Sequence, residues 1–184
     1  MKKIIYYVAS SIDGFISGED DDLSRFSYEG EAVKRYLEDL KSFNHVLMGR
    51  KTYEFGYQFG VKPGDPSPTY AHMTQYILSN NLAFENKHEQ VKVLPLDVEQ
   101  VQRLKQEADT DIYLCGGGHL AGWLLSKELL DEVKIKLNPV IIGSGTKLFE
   151  GVKKNYRLTL LGDEKYEHGM KIIHYSIEYL EREI

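Results

Sequence analysis

Cysteine is nearly absent: the one residue, Cys115, excludes an intrachain disulfide and offers no cysteine cluster for zinc. That usage suits a reducing compartment, and a cytoplasmic location is the expectation. A basic excess is missing too. Lys and Arg number 23 against 28 Asp and Glu, a formal net charge of -5, so no broad positive face is available for a nucleic-acid backbone. No apolar run approaches the roughly 20 residues that span a bilayer, and the N-terminal run after Lys2 and Lys3 stops too early for a secretory signal. The 6 histidines show no spacing that puts two on one helical face, so no metal site is expected. What remains is an ordinary globular composition, 42% hydrophobic and 28% charged over 184 residues, which predicts one domain spanning 1–184 with its own core.

The hydrophobic pattern alternates between strand-like and helix-like segments. Ile4 to Ala9 is a continuous, partly β-branched run that reads as a strand buried on both faces, over 2–9. Residues 17–28 read as a loop. From Glu31 the apolar residues Ala32, Val33, Tyr36, Leu37, Leu40 and Phe43 recur at helical spacing. His45–Met48 reads as a strand and 50–55 as a short helix, while three prolines and two glycines make 60–70 a loop. Strands follow at 75–78 and 91–94. Asp97 with Gln100 matches a capping box that opens a helix to about Ala108. A strand over 111–115, a helix over 119–126 and an alternating strand over 131–137 come next, and two alternating segments, 156–161 and 171–179, flank a turn near His168-Gly169. Alternating strands and helices that finish in strands predict an α/β fold with a mostly parallel sheet and an antiparallel edge hairpin.

Two strand-to-helix junctions carry candidate chemistry. At Gly116-Gly117-Gly118-His119-Leu120 the missing Cβ atoms let an anion approach the amides that open the next helix, although a plain tight turn fits the glycines equally. At Gly49-Arg50-Lys51-Thr52 two cations and a hydroxyl open a second helix, where cations oppose the helix dipole unless an anion is bound. Ser79-Asn80 closes a third strand with small polar groups. In a parallel sheet these ends would meet on one polyanion. A dinucleotide fingerprint of Rossmann type is disfavoured, because the strand end that should carry an acid about 20 residues on holds Lys136, Leu137 and Asn138. Gly143-Ser144-Gly145 is a glycine turn, not a nucleophile elbow. Asp13, in Ser11-Ile12-Asp13-Gly14, is either a turn cap or a ligand-facing acid.

Taken in order, Ala9-Ser10-Ser11-Ile12-Asp13-Gly14, Met48-Gly49-Arg50-Lys51-Thr52-Tyr53, Ile77-Leu78-Ser79-Asn80, the 116–122 segment and Pro139-Val140-Ile141-Ile142-Gly143 resemble the dihydrofolate reductase superfamily. Within it, the similarity is greatest to the C-terminal reductase domain of the riboflavin-biosynthesis enzyme RibD. The resemblance implies a three-layer α/β/α fold, a homodimer, and an NADPH-dependent reductase of a small heterocyclic substrate, pyrimidine- or pterin-like. It further implies that Arg50, Lys51 and Thr52, after Gly49, face the 2′-phosphate. Gly116, Gly117, Gly118, His119 and Leu120 would face the pyrophosphate, Ser79 and Asn80 the adenosine, and Ala9 and Ile16 the nicotinamide. Asp13 and Ser11 would lie near the reacting centre. Two positions depart from the pattern: Val33 stands where folate reductases carry a carboxylate, and Cys115 where the riboflavin enzymes carry glutamate. The zinc-binding deaminase half is absent from this chain. These departures keep open a non-catalytic nucleotide-binding or sensory module.

Overall fold

A computed structural model describes residues 1–179. The chain opens with strand β1 (Ile4–Ser10), the short β2 (Phe15–Ser17), helix α1 (Glu31–Leu40), strand β3 (His45–Gly49) and helix α2 (Arg50–Phe55). Strands β4 (Thr74–Leu78) and β5 (Val91–Leu94), helix α3 (Val98–Glu107), strand β6 (Ile112–Gly116) and helix α4 (Gly118–Ser126) follow. The last part holds only strands: β7 (Glu132–Leu137), β8 (Thr146–Lys147), β9 (Arg157–Lys165) and β10 (Lys171–Glu178).

Eight strands form one sheet in the order β5-β4-β3-β6-β1-β7-β10-β9. The pairs from β5 through β7 are parallel, and β10 and β9 close the edge as an antiparallel hairpin, as the sequence pattern predicts. The strand β1 is apolar from Ile4 to Ala9 because it lies between two parallel neighbours with a core on either face. Ile4 and Tyr6 pack with Leu47, Leu114 and the apolar stripes of α3 and α4. Ile5 and Tyr7 point the other way, to Met48, Tyr113 and Leu40 of α1. Among the described residues no helix is long and apolar enough to cross a membrane.

Three local departures have physical causes. Helix α1 stops at Leu40 rather than Phe43 because a turn begins there, with Phe43 N–H bonded to the Leu40 carbonyl, yet Phe43 stays buried. Its start is capped from far along the chain: the Glu167 carboxylate accepts from Glu31 N–H at 2.6 Å. Asp97 caps α3 by accepting from Glu99 N–H and Gln100 N–H, but its own N–H goes to the Pro95 carbonyl, so the reciprocal half of the capping box is not made. Finally, β2 pairs with β8 in a separate two-stranded sheet at a place read as turn and loop.

Candidate active site

Because β4, β3, β6, β1 and β7 run parallel, their C-terminal ends share one edge of the sheet. Gly49 is paired with Leu78, and Met48 with Gly116 after a register shift that follows Leu47. The Gly49-Thr52 junction, Ser79-Asn80 and the glycine triplet are therefore brought together. Both helices that start here, α2 and α4, have glycine at the N-cap and no side-chain cap, so their leading amides keep free donors toward this edge. Gly116 has a φ of +144°, closed to most side chains, and a Cβ on Gly117 would stand 3.4 Å from Thr52 Oγ1. Thr52 thus faces the glycine turn across the gap between the two helix starts.

The third glycine has a different reason. A Cβ on Gly118 would lie 2.1 Å from the Lys147 carbonyl oxygen, and one on Gly122 would lie 1.9 Å from that of Glu150. Both glycines let the 147–150 segment run directly against α4, and Glu150 N–H donates to the Gly118 carbonyl at 3.1 Å. His119 is exposed and paired with Glu150 at 2.6 Å. Leu120 is buried and underlies Gly49. The Arg50 Nε bonds Glu54 at 2.7 Å, which leaves the terminal guanidinium nitrogens available, and Lys51 is exposed with no ion pair among the described residues. Ser79 accepts from Asn81 N–H, and Asn80 accepts from Leu96 N–H at 2.8 Å, tying the ends of β4 and β5 together. Beside them lies an open cleft of about 400 Å³ bordered by Ser79, Asn80, Phe84, Lys87 and Pro95.

Ala9 and Lys136 are register partners near the ends of β1 and β7. Ile16, half-buried, is the middle residue of β2. The buried Ser11 hydroxyl accepts from Phe15 N–H at 2.9 Å. Asp13 does not cap only its own turn: its carboxylate accepts from Ile142 N–H and, at 2.7 Å, from Gly143 N–H. The Ser11 hydroxyl and these amides hold the Asp13 carboxyl below its usual range. A carboxylate so engaged is a poor proton donor. In this structure Asp13 and Ser11 brace the first turn against the 140–143 loop.

Sequence reasoning did not single out the cluster beneath α1. Tyr36 and Tyr113 share a hydroxyl–hydroxyl hydrogen bond of 2.5 Å, and Tyr70 packs edge-on to Tyr113. Burial pushes the Cys115 thiol up to about 12, with the Tyr70 hydroxyl as its partner. Lys136 is buried on the same face, 5.6 Å above the Tyr36 ring. The alternation of β7 puts Lys134 and Lys136 opposite Val133 and Ile135. A sheet covered by helices on both faces gives such lysines no solvent, and that was the available signal.

The description RibD C-terminal domain matches residues 2–172. The chain belongs to this family. The match takes in every junction described above and ends inside β10. The uncharacterized protein YwjB of Bacillus subtilis (strain 168) is 29% identical over 177 residues, covering 95% of this chain and 97% of YwjB. A Shewanella sp. PV-4 crystal structure, named for riboflavin biosynthesis, superposes with a TM-score of 0.79 at 18% identity over 96% of this chain and 99% of the other. Dihydrofolate reductase from Enterococcus faecalis, solved with NADP(H) and RAB-propyl, gives 0.62 at 16% identity over 96% and 97%. The RibD C-terminal fold and the dihydrofolate reductase-like fold are thus the same α/β architecture here.

Proposed function

We propose that the protein is an NADPH-dependent oxidoreductase of a small heterocyclic substrate, pyrimidine- or pterin-like, related to the uracil reductase of riboflavin biosynthesis. One observation carries this reading: two helix starts without side-chain caps, two cations and a glycine turn meet at one sheet edge. That donor set fits a dinucleotide with an extra phosphate. Arg50, Lys51 and Thr52 would hold the 2′-phosphate, the turn from Gly116 with His119 and Leu120 the pyrophosphate, and Ser79 with Asn80 the adenosine side. Ala9 and Ile16 would border the nicotinamide, whose chemistry when bound is hydride donation. The chain's own part is to orient and to exclude water. Asp13 and Ser11 fix the 140–143 loop, and the apolar and phenolic side chains beneath α1 keep the substrate side dry. The family's solved members and NADP(H)-bound dihydrofolate reductase support the reading by fold.

Thermal melting with and without saturating NADPH, together with Trp123 fluorescence, tests it: a rise in Tm and quenching are expected, and neither would remain if the site does not take the cofactor. Arg50→Ala is expected to weaken NADPH more than NADH, and equal losses would remove Arg50 from the 2′-phosphate. A second reading, a nucleotide-binding module without turnover, is favoured by the uncharged Val33 and Cys115 at the positions where the resemblance to folate reductases and riboflavin enzymes implies acids. NADPH binding without oxidation on any pteridine, pyrimidine or quinone would support it. The cysteine usage favours a cytoplasmic protein. Exposed Leu158, Leu160 and Leu161 on the edge strand β9 favour a homodimer, which light scattering after size exclusion would detect.

A further inference from the structure

Lys136 is 6% exposed, under α1 and beside Ala9. Its ammonium donates to the Ser27 carbonyl at 3.0 Å, and no carboxylate pairs with it among the described residues. Lys134, two residues earlier on the same face, is matched by Asp39 at 2.6 Å. A buried ammonium with one neutral acceptor leaves donors unused and is costly to desolvate, which marks it as a candidate for a ligand rather than a fold requirement. The polar side chains of this face are already engaged with one another. Tyr36 and Tyr113 are hydrogen-bonded to each other, Tyr70 partners Cys115, and the carboxylate on this face, Asp39, is taken by Lys134, Arg35 and the Tyr7 hydroxyl. This wall can donate hydrogen bonds and supply positive charge. It has no free carboxylate to receive the amino groups of an amidine-like ring.

We propose that Lys136 is a specificity-determining residue that grips an oxyanion or carbonyl oxygen of the substrate, so that this protein takes a flat ring presenting enolate or carboxylate oxygen rather than amino groups. The proposal rests on the reductase reading for placing the substrate beside Ala9. In the structure the Ser27 carbonyl stands where that oxygen would bind. The Ser27 segment is in turn held by the Asn138 side chain, which accepts from Ser27 N–H at 3.0 Å, so its carbonyl is a placed acceptor that a substrate oxygen can exchange with. Burial alone lowers the Lys136 pKa. The Tyr36 ring of α1 lies over it, and the other titratable groups of this face are Tyr113 and Cys115 from β6, Tyr70, and Tyr7 from β1, all pushed upward chiefly by burial and so uncharged near neutrality, besides the Lys134–Asp39 pair. Affinity for an oxyanion should therefore fall as pH rises through the Lys136 titration.

The test is calorimetric titration of the full chain, with NADP⁺ present, using two rings of similar size: barbiturate, an enolate, and 2,4-diaminopyrimidine, an amino-group donor. Barbiturate is expected to bind more tightly, with a Kd raised at least ~10-fold by Lys136→Met and less by Lys136→Arg. Its affinity should decline with pH in the parent and stay level in both variants. A lysine that only anchors Ser27 would change Tm without moving this pH profile. Tighter binding of 2,4-diaminopyrimidine, unchanged barbiturate binding in Lys136→Met, or no binding of either ring to a protein that NADP⁺ stabilises would overturn the proposal. If Lys136→Met does not fold, Lys136→Arg decides: retained binding without the pH decline supports it, and the parental decline refutes it. Barbiturate binding with this profile in a protein that NADP⁺ does not stabilise would keep Lys136 and remove the reductase reading.

Discussion

Replacing Gly122 with alanine tests whether close backbone approach, rather than turn flexibility, explains the glycines of α4. The new Cβ would stand 1.9 Å from the Glu150 carbonyl oxygen, about 1.5 Å inside the 3.4 Å at which ordinary contact begins. The obstacle is backbone, so it cannot rotate away. Either α4 or the 147–150 segment must move, and the Glu150 N–H bond to Gly118 and the Glu150 pair with His119 move with it. Overpacking of this kind costs ~1–3 kcal/mol, and the upper part of that range applies to a rigid obstacle. Alanine regains at most ~1 kcal/mol of helix propensity. The net loss should be about 2 kcal/mol, or roughly 4–8 °C in Tm for a chain of this size. Calorimetric melting measures it directly. Gly162→Ala is the control, because a Cβ there meets nothing within 4 Å, and its Tm should be unchanged or slightly higher. A Gly122→Ala protein that melts with the control would refute the reasoning.

Asp97→Ala should cost ~1 kcal/mol by removing the cap on α3, whereas Asp97→Asn should be close to neutral; equal melting temperatures for Ala and Asn would deny the cap. Cys115, half-buried, should react more slowly with a disulfide reagent at pH 8 in the native protein than in denaturant, because its surroundings, chiefly through desolvation, push the thiol pKa above its ordinary value. Rapid native labelling would show that the Tyr70 pocket is open. Acid should destabilise the fold. The Ser11 hydroxyl and two amides lower the Asp13 pKa and the Glu31 amide lowers that of Glu167, while for Asp39 burial works upward but Lys134 and Arg35 outweigh it. Carboxylates lowered by folding contribute stability that is full above their unfolded values near 4 and is lost as pH falls through the folded ones. Denaturant midpoints should hold steady from pH 7 to about 5 and drop below 4, and a flat profile down to pH 3 would contradict these contacts.

The sheet and its edge hairpin were legible because burial on one face or two imposes its own periodicity. Ile4 to Ala9 reads as buried on both faces, and Ile4 to Tyr7 are buried in alternation against the two cores while Val8 and Ala9 are half-buried; the alternation of Val133 and Ile135 against charge gives the correct face of β7. The convergence of Gly49-Thr52 with the glycine triplet also followed, since parallel strands place like ends together. What escaped depends on partners distant in the chain. Phe15–Ser17 is too short to show a period and becomes a strand only by meeting Thr146–Lys147. Asp13 could be seen as a turn cap, but not that the amides it caps would be those of Ile142 and Gly143. Gly118 looked like part of an anion turn, and its close neighbour, the Lys147 carbonyl, is invisible to local pattern. The burial of Lys134 and Lys136 is likewise invisible to local pattern, because a strand with one apolar face usually has water on the other, and here α1 covers it.

The position of β1 in the sheet has a consequence for how the chain is made. Its partners are β6 and β7, with Ile4 opposite Ile112 and Ser10 opposite Leu137, so an apolar strand is synthesised more than a hundred residues ahead of both strands that pair with it. At a synthesis rate of ~5–20 residues per second, its backbone groups wait roughly 6–25 s after leaving the ribosome before both neighbours exist. During that interval Ile4 to Val8 is a strand sequence without a sheet, and its unpaired backbone and apolar side chains are of the kind that pair with other chains.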